Sequence, residues 1–371
     1  MKKTLVAMAV LAASGAALAQ SSVTLFGVAD AAVKYGRGSV ANVTKLGSGG
    51  NSTSRLGFRG VEDLGGGLTA GFWLESGLAT DSGLGQATNT NNQATGAGTA
   101  GGLTFNRRST VSLVGGFGEV RLGRDFAVTY RNVGDFDPTG DVGVGSTIMD
   151  SAMSLSSVTK GVRVSNSINY FAPSNLGGFY GQLQYYVGEN AADTVVAGVT
   201  TVGKKDGTGG GARLGYAQGP LNVALSFGST KYKAVAPNIA FAGDENTINF
   251  GGTYDLGVAK LFALYNQDKV KPTTGDIKGQ GYLLGVSAPM GQGEVRASYA
   301  NYKQKLNLVA GDPSAGKFMV GYVYNLSKRT AIYTTAAFAK SKNGASFALN
   351  DALVSTNGNS TGLDFGLKHS F

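Results

Sequence analysis

Apolar and polar residues alternate along most of this chain. Val23, Leu25, Val33 and Tyr35 fall on one side of an extended backbone, with Asp30 and Lys34 on the other. Leu56 and Phe58 alternate with Arg55, Gly57 and Arg59, and Val120 and Leu122 with Glu119, Arg121 and Gly123. Leu183 and Tyr185 alternate with Gln182, Gln184 and Tyr186, and the pattern returns over 318–326 and 363–371. The period is two, the period of a strand and not of a helix. Runs of about 9–12 residues are long for a soluble sheet and suit a tilted membrane strand. Either a sandwich that buries its apolar faces or a barrel that turns them to lipid would give this pattern.

The connections separate the two. Short turns are expected at 64–67, 115–118, 175–178, 218–220, 255–257, 289–293 and 325–329. Longer polar segments lie at 36–52, 80–104, 126–160, 189–209, 232–245, 270–278, 306–315 and 341–360. Seven short links and eight long ones join 16 strands. An even strand count with alternating short and long links is the layout of an outer-membrane barrel. Closure also removes sheet edges, where each unpaired backbone group in hydrocarbon costs several kcal/mol. The expected fold is therefore all-β, a 16-stranded antiparallel transmembrane β-barrel.

Composition narrows the chemistry. With 59 Gly, 7 Pro and no Cys, the chain favours strands and turns and excludes disulfides and thiolate-bound metals. The single histidine, His369, removes most imidazole metal and acid–base chemistry. There is no HExxH and no phosphate-binding loop; Gly207–Gly211 lacks the following Lys-Ser/Thr and reads as a loop tip. The basic residues are dispersed among strands, which argues against nucleic-acid binding. No enzymatic activity, cofactor or metal is expected.

Residues 1–19 read as an export signal: Lys2 and Lys3, an apolar stretch from Leu5 to Ala13, then Ala17-Leu18-Ala19. Cleavage would leave 20–371 as the barrel, and without the two lysines the formal net charge falls from +9 to +7. No later stretch is apolar for about 18 residues, so no helical span is expected.

Six segments carry a family resemblance: Gln20 to Asp30 (QSSVTLFGVAD), Ser54 to Gly66 (SRLGFRGVEDLGG), Leu74 to Gly77 (LESG), Gly118 to Asp125 (GEVRLGRD), Ile168 to Pro173 (INYFAP) and Gly366 to Phe371 (GLKHSF). Spread over the mature chain, they resemble the 16-stranded general porins of Gram-negative bacteria, of betaproteobacterial type. The resemblance implies an outer-membrane homotrimer amid lipid and lipopolysaccharide, passing small hydrophilic solutes and anions by passive diffusion. It implies that Phe371 is the signal read by the barrel-assembly machinery and that His369 belongs to the aromatic belt. It further implies that the third long loop, about 126–160, folds into the barrel and narrows it. Enteric relatives carry a Pro-Glu-Phe-Gly turn there; Asp135-Phe136-Asp137-Pro138 stands in its place, leaving the acidic position open between Asp135 and Asp137.

A mid-strand charge on the lipid face costs roughly 2–4 kcal/mol for Arg or Lys, so such charges should face the lumen. Parity places Asp30, Lys34, Arg55, Arg59, Glu75, Glu119, Arg121, Arg163, Arg213 and Arg296 there. By resemblance, Arg55, Arg107 and Arg163 form the basic wall of the constriction. Strict alternation with Val111 and Leu113 favours Arg108 over Arg107, unless a bulge shifts the parity. Arg59, Arg108, Lys34 and Arg121 are alternate basic residues, and Asp135, Asp137 and Glu75 form the acidic side. Such opposed rows predict a diffusion channel with a salt-sensitive anion preference. A substrate-specific channel for phosphate or carboxylates, or an adhesive barrel, remains the alternative.

Overall fold

The computed structural model describes residues 22–93, 98, 100–149, 162–196, 199–232, 243–271, 277–305 and 311–371. The proposed export signal and residues 150–161 of the third loop lie outside these. In chain order the strands are β1 (Ser22–Arg37), β2 (Val43–Ser48), β3 (Arg55–Gly65), β4 (Leu68–Gly77), β5 (Arg108–Gly115) and β6 (Gly118–Phe126). A helix, α1 (Val128–Asp135), precedes β7 (Arg163–Phe171) and β8 (Phe179–Tyr186). Two short strands, β9 (Thr194–Val196) and β10 (Val199–Val202), pair only with each other. There follow β11 (Gly209–Gln218), β12 (Leu221–Tyr232), β13 (Gly243–Asp255), β14 (Lys260–Lys271) and β15 (Ile277–Met290). The last four are β16 (Gly293–Lys305), β17 (Ser314–Asn325), β18 (Thr330–Lys342) and β19 (Asn359–Ser370).

All neighbours in the 17-stranded sheet are antiparallel, and β1 closes it by pairing with β19. On its other edge β1 pairs with β3 through Ser22–Val28 and with β2 through Ala31–Gly36. β2 and β3 thus share one position in the wall, and the barrel has 16 staves. The short links fall where the sequence places them. Between β3 and β4, Gly65, Gly66 and Gly67 all take positive φ, which only glycine adopts without strain.

The alternation divides the wall as expected. Val23, Leu25, Leu183, Phe227, Phe250 and Phe365 are all more than half exposed on the outer face. Asp30, Ser226, Asn249 and Asp268 are buried on the inner one. A band of this kind is unfavourable in water and matches acyl chains. No helix among the described residues is long and apolar enough to cross a membrane.

The chain from Ala127 to Met149 lies inside the barrel, with α1 against β8, β11, β12 and β13. Val133, Phe136, Val144, Ile148 and Met149 form an apolar cluster with Leu264, Leu283, Tyr302 and Met319 of the wall. Phe347 and Leu349, between β18 and β19, join it. Glycines make the seats. A Cβ at Gly251 would stand 2.3 Å from the Phe136 ring, and one at Gly362 would stand 2.4 Å from Val144.

The segment 36–52 is not one long loop. Only 38–42 lie outside the sheet before β2 begins, and 49–54 form a separate lobe turned into the lumen. The cause is Asp30. Its buried carboxylate accepts the amides of Gly50 (3.1 Å), Asn51 (3.1 Å) and Ser52 (2.7 Å), and the Tyr333 hydroxyl as well. Four donors satisfy this carboxylate away from water and fold the backbone around it.

Candidate functional site

A cavity of about 480 Å³ lies where the lobe, the inward loop and the wall of β3 to β7 meet. Arg55, Arg107 and Arg163 line it from the wall. Arg131, Asp135 and Asp141 line it from the loop, and Asn51, Ser52 and Thr53 from the lobe.

Strand geometry positions the wall arginines. Arg55 opens β3, with its side chain on the same face as Gly57 and Arg59. Arg107 precedes β5, where its amide donates to the Glu75 carbonyl at 3.1 Å although the register partner of Glu75 is Arg108. Two residues thus oppose one, the arrangement of a bulge, and both guanidiniums reach the lumen side. Arg163 opens β7, donates from Nε to the Arg107 carbonyl at 2.8 Å, and lies 4.6 Å over the Phe126 ring. Flat aromatic and backbone supports hold these long side chains in place while their charge stays on the lumen.

Glu75 does not stand on the acidic side. Its Oε1 accepts Arg107 Nε at 2.5 Å and lies 4.0 Å from Arg55 Nη1, while Oε2 accepts Trp73 Nε1 at 3.0 Å. It braces the arginine wall from within. Asp137 does not line the cavity either. It is buried behind the loop, its Oδ1 accepting the Thr139 amide and hydroxyl at 2.6 and 2.7 Å. Burial pushes its carboxyl above the usual range despite those bonds. Alternation says nothing inside a loop, so the neighbouring carboxylates could not be told apart by sequence. The acids facing the cavity are Asp135 and Asp141.

Asp135 is paired with Arg213 Nη2 of β11 at 2.6 Å, and Arg213 Nε donates to Asn132 Oδ1 at 2.7 Å. Arg131, on the same helix, donates to Asp125 Oδ2 of β6 at 3.0 Å. Burial lowers the Arg131 guanidinium from its ordinary value, with Asp125 acting in the opposite sense. Periodicity gave no hint of Arg131 or of the lobe; the one available signal was the small, polar run Gly49 to Ser54 beside a lumen-facing Asp30.

The alternate basic residues all lie off the cavity. Lys34 donates to the Ser48 carbonyl at 2.9 Å. Arg121 is held by Glu119 and Asp125 at 2.8 and 2.5 Å. Arg59 and Arg108 stack on Trp73. Phe371 closes the seam, exchanging backbone hydrogen bonds with Gly27 at 3.0 and 3.1 Å. His369 Nδ1 is 2.9 Å from the Thr330 hydroxyl. Gly358 to Gly362 (GNSTG) has the spacing of a nucleophile elbow, but it lies at the start of β19, not on a strand-to-helix turn. Ser360 is spent on backbone: it accepts the Leu349 amide and donates to the Arg37 carbonyl, both at 3.0 Å.

Comparison with known proteins gives one answer. A family model described as Gram-negative porin matches residues 4–344. Outer membrane porin protein 32 of Delftia acidovorans is 42% identical over 384 aligned residues, with 100% of both chains covered. An outer membrane porin protein of Bordetella pertussis is 31% identical over 421, again with 100% of both covered. Among solved structures, an anion-selective porin from Comamonas acidovorans superposes with a TM-score of 0.81 at 38% identity, covering 95% of this chain and 100% of that one.

Proposed function

The chain belongs to the Gram-negative porin family, and from that premise we propose that its cavity is the selectivity-setting constriction of an anion-preferring diffusion pore. It is an outer-membrane channel and not an enzyme. Solutes cross by diffusion through water, and the protein contributes shape and field. The observation that carries the reading is the charge around the cavity. Arg55, Arg107, Arg131 and Arg163 line it with Asp135 and Asp141. Glu75 pairs with Arg107, Asp125 with Arg131 and Arg213 with Asp135, while Arg163 has no carboxylate within 4.0 Å among the described residues. At physiological salt the Debye length is about 8 Å, so uncompensated guanidiniums act across an opening of this scale. The anion-selective relative in Comamonas supports the same reading.

The test is the zero-current potential across a KCl gradient in planar bilayers. Anion selectivity that weakens as salt rises is expected, and a strongly cation-selective potential at low salt would overturn it. We further infer a homotrimer seated among anionic outer-membrane lipids, exported by a leader cleaved before Gln20 and inserted through recognition of Phe371. Heat-modifiable mobility in gels tests the trimer, and the mass of the mature protein tests the cleavage.

A further inference from the structure

Trp73 is the only tryptophan in the chain, and it sits on the lumen face of β4. Its face is fixed by the Nε1 bond to lumen-side Glu75. Strands on both sides supply it with cations: Arg59 of β3, with Cζ 5.2 Å from the ring, and Arg108 of β5, at 4.6 Å. Phe26 of β1 meets Trp73 edge-on, with centroids 4.9 Å apart, and Arg59 lies 5.4 Å from the Phe26 ring as well. Arg59 is exposed, and Trp73 and Phe26 are half-buried, so the group is open to water. It lies beyond the constriction. Arg59 follows Arg55 by four residues, about 13 Å along β3 toward the short-turn end.

What sets this group apart is its unspent charge. Arg121 also lies over an aromatic ring, Phe171 at 4.2 Å, but Glu119 and Asp125 neutralise it. Among the described residues, neither Arg59 nor Arg108 has a carboxylate within 4.0 Å; Arg108 donates only to the Thr110 hydroxyl, at 3.0 Å. The acids that act on Arg108 from beyond that distance, Asp125 and Glu119, are already held by Arg121, and Glu75 is held by Arg107 and Trp73. Two guanidinium forks therefore retain donors for a carboxylate, beside two aromatic rings that a flat apolar body can cover.

We propose that Phe26, Arg59, Trp73 and Arg108 form a binding station for planar aromatic carboxylates on the short-turn side of the constriction. The carboxylate takes guanidinium N–H donors, and the ring lies against aromatic or guanidinium surface. Chloride and aliphatic carboxylates engage only the first half of the site. The station deepens the anion-preferring reading and rests on it.

A lone tryptophan gives a direct readout. Fluorescence of the detergent-solubilised porin is titrated at constant ionic strength with benzoate, cyclohexanecarboxylate and benzyl alcohol. Benzoate is expected to perturb Trp73 at a half-saturating concentration roughly fivefold lower than cyclohexanecarboxylate, with benzyl alcohol weaker than both. In bilayers benzoate should block chloride current more strongly than cyclohexanecarboxylate, and Arg59→Gln and Trp73→Leu should each erase that difference. Equal responses to the two carboxylates overturn the station. A KCl reversal potential on the same membranes separates the two claims. Equal responses in an anion-selective pore sink the station alone, and cation selectivity sinks the reading beneath it.

Discussion

The two sides of this lumen use the same alternation for opposite purposes. From β3 to β7 the inward positions carry Arg55, Arg59, Arg108 and Arg163, whose guanidiniums line the cavity or stack on Trp73 beside the lumen, and Arg121, buried between Glu119 and Asp125. From β12 to β19 they carry Ser226, Asn249, Gly251, Gly285, Lys317 and Gly362, and the 127–149 loop covers them. One wall is built to face ions and the other to hold a piece of its own chain. A polar inward face therefore does not by itself mean a solvated one. What separates them is side-chain size and use: glycine and short amides leave room for backbone to approach, and the long cation among them, Lys317, is buried as a donor to the loop's own carbonyls.

The sharpest way to break the comparison is to unseat the loop. Lys317 is buried, and its Nζ donates to the carbonyls of Val144 (3.1 Å) and Ser146. Asp137, Asp141 and Asp364 act electrostatically on the same ammonium. Lys317→Met leaves those acceptors unmatched, at about 3 kcal/mol for bonds to a charged group. The expected result is a larger single-channel conductance with rapid flicker, while the trimer band persists. Wild-type conductance would mean that the loop does not depend on this wall.

Next in size is a charge reversal on the opposite wall. Arg163 has no carboxylate within 4.0 Å among the described residues. At about 6 Å in a water-like medium two unit charges interact by about 0.7 kcal/mol, so Arg163→Glu changes an ion's energy by about 1.4 kcal/mol. Chloride and potassium shift in opposite senses, so the permeability ratio should fall by roughly a hundredfold at low salt and roughly tenfold at physiological salt, where screening about halves each term. Arg55→Glu should act in the same direction but less, since Glu75 stands 4.0 Å from Arg55 in the native wall. Reversal potentials in a KCl gradient measure both.

A smaller effect concerns pH. Asp137 has its carboxyl raised by burial, so the seated loop holds that proton more tightly than the unfolded chain does. The stabilisation is fully present below about pH 3.9, the unperturbed value, and is lost as pH climbs through the raised one. Asp137→Asn, which cannot ionise, should flatten the pH dependence of thermal unfolding above that point. An unchanged slope would assign the dependence to another group.

Alternation exposed the staves, the seven short turns and the face of nearly every strand charge, because a wall between lipid and water enforces a period of two. It could not resolve features set by one side chain bonding to distant backbone. The 49–54 lobe exists because Asp30 gathers three amides, and no periodicity records that. Arg107 and Arg108 both turn inward because of a bulge at Glu75. Glu75 sits with the arginines because Arg107 and Trp73 claim its two oxygens. Arg131 and Asp141 belong to a segment where strand parity has no meaning.

The finest test asks whether acids on the loop side shape the field at all. Asp135 ends α1, where its negative charge meets the negative end of the helix dipole, and it is half-exposed beside Arg213. Asp135→Asn keeps the shape and removes the charge. Arg213 is not left loose, because Asn132 Oδ1 accepts its Nε at 2.7 Å and the Tyr180 hydroxyl accepts its Nη2 at 3.4 Å. The loop should stay seated and the conductance nearly constant, while Arg213 gains an uncompensated charge beside the passage. If both walls set the transverse field, selectivity must move further toward anions, by about twofold or less given screening across a wet gap. A conductance jump would instead reveal that the ion pair holds α1 in place, and a fixed selectivity with fixed conductance would leave the field to the arginine wall alone.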